Sequence, residues 1–128
     1  MKTLTAADIA DRPRGITTFN APDMDGAFRL RDLSCDQATY FQCLCRQKTE
    51  DGASDFRGLR ETLIIMALVD EEGESLYPHD LDNPASLKAG LDGIGGLPAD
   101  LVEKLFQAVQ EANGLADVED QVEDIAGN

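Results

Sequence analysis

The sequence predicts an α+β fold that is mostly α-helical, a single domain of about four to five helices with a small N-terminal β-hairpin. Strict alternation places Phe28 and Leu30 on one face of a short strand. Later segments space their apolar residues three and four apart, which is typical of helices packed on a core. The 128 residues are enough for one domain with a modest core. We expect that domain to span residues 1–115, followed by an acidic tail over residues 116–128.

The first predicted elements are a short helix and the hairpin. Thr5, followed three residues later by Asp8, resembles a capping box and predicts a helix over about residues 6–11. Two runs with strand character then flank the turn-forming residues Asp23–Gly26. A β-hairpin is therefore predicted over about residues 16–33.

Four further helices are predicted from capping patterns and apolar stripes. They cover about residues 35–48, 55–69, 84–91 and 98–113. Ser34 with Gln37 matches a capping box at the start of the first of these. Residues 63–69 are apolar on every side, which predicts a buried central helix. Asn83–Pro84 supplies an N-cap and an N1 proline for the next helix, and the glycines of residues 90–96 predict a flexible linker after it.

The end of the last predicted helix is marked by a glycine stop. Gly114 and Leu115 match the C′ glycine and the C″ apolar residue of a Schellman motif. The residues after it contain five carboxylates and no basic side chain. We interpret them as a frayed, acidic tail.

The charge of the chain limits the kinds of partner it can bind. Its formal net charge is −14 at pH 7, and no lysine or arginine follows Lys104. Such a field repels phosphate backbones and anionic lipids, so we expect no nucleic-acid or membrane binding and favour a partner with a basic surface. Acidic residues interrupt the apolar run that an N-terminal signal peptide needs, and residues 63–69 are too few to cross a bilayer. The odd number of cysteines fits a reducing cytosol.

The segment LVDEEGESLYPHDLDNP, residues 68–84, is the first candidate for a metal or catalytic loop, because it gathers six carboxylates around the histidine. A calcium loop of the EF-hand type needs oxygen ligands at positions 1, 3, 5 and 12 and a glycine at position 6. With Asp70 at position 1, Leu81 falls at position 12. A register with Gly73 at position 6 also fails. We interpret the segment as a solvated connector.

The cysteines and the histidine do not form a pattern that predicts an enzyme. Cys43-x-Cys45 lacks the spacing of a zinc knuckle, and residues two apart on a helix point about 200° away from each other. Cys45 lies on an apolar stripe, which indicates a small core residue. His79 is the only histidine, and no motif such as G-x-S-x-G surrounds any serine, although a Cys–His pair assembled by folding stays an open alternative. We predict a protein that is not an enzyme and has no metal or cofactor.

Several short sequence motifs follow one another in a recognisable order. They are LTAADIAD near the N-terminus, a turn from Pro22 to Gly26, FRLRDLS, LVDEEGESLY with the following HDLD, and LFQAVQEANGL. Over about residues 3–115 this order resembles the tail assembly chaperones of long-tailed phages and prophages. The glycines of residues 90–96 and the cysteines of the helix over residues 35–48 depart from the family's pattern.

The resemblance implies a non-enzymatic assembly factor with defined partners. Such a chaperone binds the tape measure protein, keeps its long hydrophobic helices soluble and helps to recruit tail tube subunits. The resemblance also implies the cytoplasm of a bacterial host as its location, and absence from the mature virion. In that family a longer frameshift product commonly accompanies the short chaperone. Self-association stays open.

Three sets of residues are candidates for the partner-binding surface. One is the exposed side of the last helix with Val102 and Phe106, and another is the face of the hairpin; for both, the alternative is that the residues belong to the core. The third set consists of the tail carboxylates Asp117, Glu119, Asp120, Glu123 and Asp124.

Two other kinds of protein remain as alternatives. One is a structural virion component, such as a minor tail or head–tail connector protein. The other is an acidic inhibitor that mimics nucleic acid, which only the net charge of −14 suggests.

Overall fold

A computed structural model describes residues 1–11, 14–50 and 58–115, and the elements below belong to these ranges. The α-helices are α1 (Ala6–Ala10), α2 (Cys35–Glu50), α3 (Leu59–Ala67), α4 (Lys88–Gly95) and α5 (Ala99–Asn113). The strands are β1 (Ile16–Ala21), β2 (Gly26–Arg31) and β3 (Leu68–Val69), which form one antiparallel sheet in the order β1-β2-β3. Two 3₁₀ turns cover Pro22–Met24 and Pro84–Leu87. The mostly helical α+β class is confirmed.

The capping box of α1 and the hairpin form as predicted. Asp8 accepts a hydrogen bond from the backbone N–H of Thr5 at 2.9 Å, and the Thr5 hydroxyl accepts one from the N–H of Asp8 at 3.3 Å. β1 and β2 pair with Phe19 opposite Phe28. Asp25 in the turn has φ +55°, a left-handed conformation that aspartate tolerates better than most residues.

The third strand, β3, was not predicted. The helix predicted to reach Val69 ends at Ala67, and Leu68 turns to an extended conformation with ψ 126°. Leu68 then pairs with Leu30, and Val69 pairs with Arg29. Within a run that is apolar on every side, periodicity does not reveal where a buried helix changes to a buried strand.

α3 is the central helix of the core, as the sequence predicts. Every residue of α3 from Thr62 to Ala67 is buried, and so is Leu59 at its start. Helices α2, α4 and α5 and strand β2 all contact it. Burial of each large aliphatic side chain contributes about 1.5–3 kcal/mol, so this helix anchors the fold. Residues 55–57 of the predicted range lie outside the described residues.

The glycine-rich residues 90–96 form most of α4, so the prediction of a flexible linker there was wrong. Gly90 is buried against Ile65 of α3, where a β-carbon would lie 2.7 Å from the Ile65 Cδ1 atom. A glycine in a helix costs about 1 kcal/mol relative to alanine. Here the missing side chain allows two helices to approach closely, and packing overrides the low helix propensity. The single helix predicted over residues 84–91 is a 3₁₀ turn that Pro84 begins, followed by α4, and the Asn83 side chain does not cap it.

The ends of α2 and α5 follow the predicted capping patterns. Ser34 and Gln37 exchange the two bonds of a capping box at 3.0 and 3.1 Å. α2 continues two residues past its predicted end, to Glu50. Gly114 has φ +64°, and the Leu115 N–H donates to the carbonyl of Gln110 at 2.9 Å, which confirms the Schellman stop of α5.

Candidate functional site

The first half of the acidic segment, residues 68–84, is a tight turn that Asp70 organises. One Asp70 carboxylate oxygen accepts hydrogen bonds from the N–H groups of Glu72 and Glu74 at 2.9 and 3.0 Å. The Asp70 N–H in turn donates to the carbonyl of Glu74 at 2.8 Å. Gly73 sits at the turn with φ +81°, where a side chain would be strained. The Asp70 carboxylate therefore stabilises the backbone of this turn.

Two arginines of β2 hold this turn against the sheet. Arg29 donates to the carbonyl of Glu71 at 2.6 Å, and Arg31 donates to the carbonyl of Gly73 at 2.9 Å. These contacts join the phrases FRLRDLS and LVDEEGESLY, which are far apart in the sequence. Both phrases thus have a structural role in fixing the sheet to the segment that follows β3.

The second half of the segment is a further backbone turn. Asp80 accepts from the N–H of Asp82 at 2.9 Å, and its own N–H donates to the Ser86 hydroxyl at 2.8 Å. The ring nitrogen Nδ1 of His79 lies 2.8 Å from the carbonyl of Tyr77. Tyr77 packs against the core, whereas Leu76 stays 46% exposed. Among residues 1–11, 14–50 and 58–115, no three His, Cys, Asp or Glu side chains are grouped to hold a metal ion.

The cysteines divide into one core residue and two surface residues. Cys45 is fully buried in the core, as predicted, and burial raises the pKa of its thiol to about 11. Cys35 and Cys43 are exposed. Since the thiolate is the reactive form, the Cys45 thiol is inert near neutral pH.

A polar groove of about 390 Å³ lies beside the start of α2. Its polar side chains hold neighbouring elements together. Arg14 donates to the carbonyl of Asp32 at 3.2 Å and to the Gln37 side chain at 3.0 Å. Asn113 accepts from the N–H of Leu33 at 2.8 Å. Burial, followed by the charge of the neighbouring Arg31, lowers the pKa of Arg14.

The predicted partner-binding residues of the last helix belong to the core. Val102 is 8% exposed and Phe106 is 1% exposed. The Phe106 ring packs edge-on against Phe41, with 6.3 Å between ring centroids, and the Arg60 guanidinium covers it at 5.8 Å. The expectation that these two residues offer a docking surface was wrong, because the apolar stripe of α5 faces α3. The tail candidates Asp117, Glu119, Asp120, Glu123 and Asp124 lie outside the described residues.

The outer face of β1 is the hairpin surface that remains exposed. Ile16 is 40% exposed, and Thr18 and Asn20, on the same face, are also exposed. The opposite face of the hairpin carries Phe28 and Leu30 toward the core. The alternation in the sequence thus predicts which face of β2 is buried. The buried face of β1 then follows from its register with β2.

A largely apolar groove of about 230 Å³ lies between the end of β1 and the start of α5. The residues that line it are Phe19–Met24, Pro98, Asp100, Leu101 and Lys104. Met24 at its rim is 52% exposed. The sequence gives no direct signal for this groove, because it depends on how a hairpin end meets a helix 70 or more residues away.

Comparison with known proteins finds no match for this chain among family models, curated proteins or solved structures. Within the ranges that the structure describes, no helix has the length and apolar character needed to span a membrane.

Proposed function

We propose that this protein is a non-enzymatic tail assembly chaperone, which binds the tape measure protein and helps to recruit tail tube subunits. The observation that carries the proposal is the open edge of the uncharged strand β1 on a chain of net charge −14. An uncovered strand offers a binding surface for another chain. The high charge keeps the protein soluble while that surface is open. The resemblance over about residues 3–115 supplies the identity of the partners.

The polar residues that first suggested chemistry have structural roles, which supports binding over catalysis. The carboxylates of Asp70 and Asp80 accept backbone N–H groups, and the Cys45 thiol has a pKa of about 11. A catalytic centre instead needs groups poised to exchange protons or attack a substrate near neutral pH.

Co-expression tests the proposal directly. The chain is produced with and without the tape measure and tail tube proteins of the phage that the proposal assigns it to, and the soluble fraction of each is measured. We expect the tape measure protein to move into the soluble fraction and to co-purify with the chain. Unchanged solubility together with the absence of co-purification would contradict the proposal.

The proposed location is the cytoplasm of the bacterial host, with the chaperone released before the particle is complete. Mass spectrometry of purified particles separates this proposal from a structural virion component. We expect the chain to be absent from the particles. Its presence in a fixed ratio to the tail tube protein would instead identify a minor tail or connector protein.

A further inference from the structure

The open side of β1 presents unpaired backbone groups in a defined alternation. The Asp32 N–H donates to the carbonyl of Gly15 at 2.8 Å, which extends the β1–β2 ladder by one pair. Along an antiparallel pair, hydrogen-bonded and non-hydrogen-bonded positions alternate. With Gly15 facing β2, the N–H and C=O groups of Ile16, Thr18 and Asn20 therefore point away from β2 to the open side.

This edge is not covered or protected within the part of the chain that the structure describes. β3 pairs with the other side of β2, so β1 is an edge strand of the sheet. Natural edge strands are usually blocked by lysine, proline or a bulge. β1 has none of these: its six residues, ITTFNA, are uncharged, and its register with β2 is continuous from Ile16 to Ala21.

The groove of about 230 Å³ lies where an added strand would place its side chains. Phe19 and Ala21 line the groove and belong to the inward-facing residues of β1. Side chains alternate between the two faces of a sheet, so every second residue of a strand beside β1 would point to the same side as Phe19 and Ala21. Leu101 and Pro98 of the opposite wall would contact apolar side chains at those positions.

The charges near the open edge of β1 indicate which kind of chain can bind there. Between Arg14 and Arg29 the sequence has no basic residue, while Asp23 and Asp25 lie in the turn at the end of β1. Asp100 adds a further carboxylate at the groove, which Lys104 also lines. A second copy of this chain, or its own acidic residues 116–128, would bring like charge to this edge.

We propose that β1 binds an extended segment of a basic partner protein by strand addition, with apolar side chains of that segment entering the groove. The inference rests on the proposed function, and it names the surface and the binding mode. Main-chain hydrogen bonds to Ile16, Thr18 and Asn20 supply the affinity, and the groove supplies the side-chain preference.

Residue-resolved amide hydrogen exchange tests the proposal on the full-length chain, free and in complex with the co-expressed tape measure protein. In the free chain, we expect the N–H groups of Ile16, Thr18 and Asn20 to exchange fast and those of Thr17 and Phe19 to be protected by their hydrogen bonds to β2. In the complex, we expect exchange of the first three to slow by about tenfold or more, since each gains a bonded partner. Unchanged exchange at these three residues in a stable complex would overturn the proposal.

A proline at position 18 gives an independent test. Thr18→Pro removes an N–H that points outward and leaves the ladder to β2 intact, whereas the control Thr18→Val keeps that N–H. We expect Thr18→Pro to weaken tape measure binding by about tenfold or more and Thr18→Val to bind like wild type. Thermal unfolding shows whether each variant is folded, and the exchange experiment on wild type does not depend on either.

The outcomes separate the two proposals. If wild type binds the tape measure protein and Thr18→Pro binds equally well, strand addition at β1 is wrong and the chaperone function stands. If wild type binds neither tail protein, the proposed function and this inference both fail. If the three outward amides are already protected in the free chain, sedimentation equilibrium identifies a dimer or an internal segment as the occupant, and the proposal is overturned.

Discussion

Gly90 of α4 lies directly against the buried side chain of Ile65 in α3, with the position of a β-carbon only 2.7 Å from Ile65 Cδ1 and 2.8 Å from Cγ1. Ile65 is fully buried, so it has little room to move away. We therefore expect Gly90→Ala to lower the free energy of unfolding by about 1–3 kcal/mol through overpacking, partly offset by the higher helix propensity of alanine. Urea unfolding of the purified chain measures this change.

Gly95 in the same helix is the matched control, because no atom lies within 4 Å of its β-carbon position. Gly95→Ala should leave the free energy of unfolding unchanged or raise it by up to about 1 kcal/mol, the gain in helix propensity. Equal effects of the two substitutions would contradict the close approach of α4 to α3.

Phe106 is expected to matter for stability and not as a surface contact. Phe106→Ala removes a fully buried ring that packs on Phe41, so it should cost about 3–5 kcal/mol in the free energy of unfolding. Leu76, which is about half exposed, serves as the control, and Leu76→Ala should lower stability by no more than about 1 kcal/mol. Thermal and urea unfolding compare the two. A Phe106→Ala chain with wild-type stability would place this ring outside the core.

Substitutions of Asp70 distinguish a carboxylate that stabilises a backbone turn from one that binds a cation. Asp70→Ala should destabilise the chain by about 1–3 kcal/mol, because two N–H groups lose their acceptor. Asp70→Asn keeps one acceptor oxygen and should recover much of the loss. Melting temperatures of wild type with millimolar calcium and with a chelator should agree. A rise in melting temperature with calcium that Asp70→Asn abolishes would instead indicate a cation bound at this turn.

The Cys45 thiol should be protected from alkylation and should add a pH dependence to stability. Burial raises its pKa from 9.0 to about 11, so the unfolded chain loses this proton at lower pH than the folded chain. The contribution to stability is therefore fully present below pH 9 and is lost as pH rises through about 11.

Alkylation with iodoacetamide followed by mass spectrometry separates Cys45 from the other thiols. At pH 8 we expect Cys35 and Cys43 to be modified in the folded chain and Cys45 only after unfolding in urea. Cys45→Ala is the comparison for the pH profile, since it removes the titrating group. Modification of Cys45 at the same rate as Cys43 would contradict its place in the core.

Local signals in the sequence predicted much of the fold because they depend on neighbouring residues. The capping boxes at Thr5 and Ser34 and the stop at Gly114 are satisfied within a few residues of themselves. The alternation of Phe28 and Leu30 predicted the buried face of β2 for the same reason. In each of these patterns, both interacting partners lie within the same short stretch of sequence.

The misses have a common physical cause, which is that a distant element decides the local structure. Helix α4 includes Gly90 because the side chain of Ile65 packs against that position. Strand β3 forms because Leu68 pairs with Leu30. Neither partner can be read from the local residues. The apolar stripe of α5 was also predicted as a possible docking surface, but it packs into the core, where Phe106 is buried beside Phe41.

The candidate binding surface was predicted only in part. The hairpin was expected, but which of its strands has an open edge follows from the pairing of β3 with β2, which leaves β1 at one edge of the sheet. The groove depends on the meeting of the hairpin end with Pro98 and Leu101 at the start of α5. Both features require the tertiary arrangement.

The most direct test of the central proposal is the amount of tape measure protein that remains soluble when it is produced with and without this chain. We expect a clear increase in the soluble fraction with wild type, retention of both proteins in one complex on size exclusion, and a smaller effect with Thr18→Pro than with Thr18→Val. Equal amounts of soluble tape measure protein in the presence and absence of the chain, with no shared complex, would contradict the chaperone function.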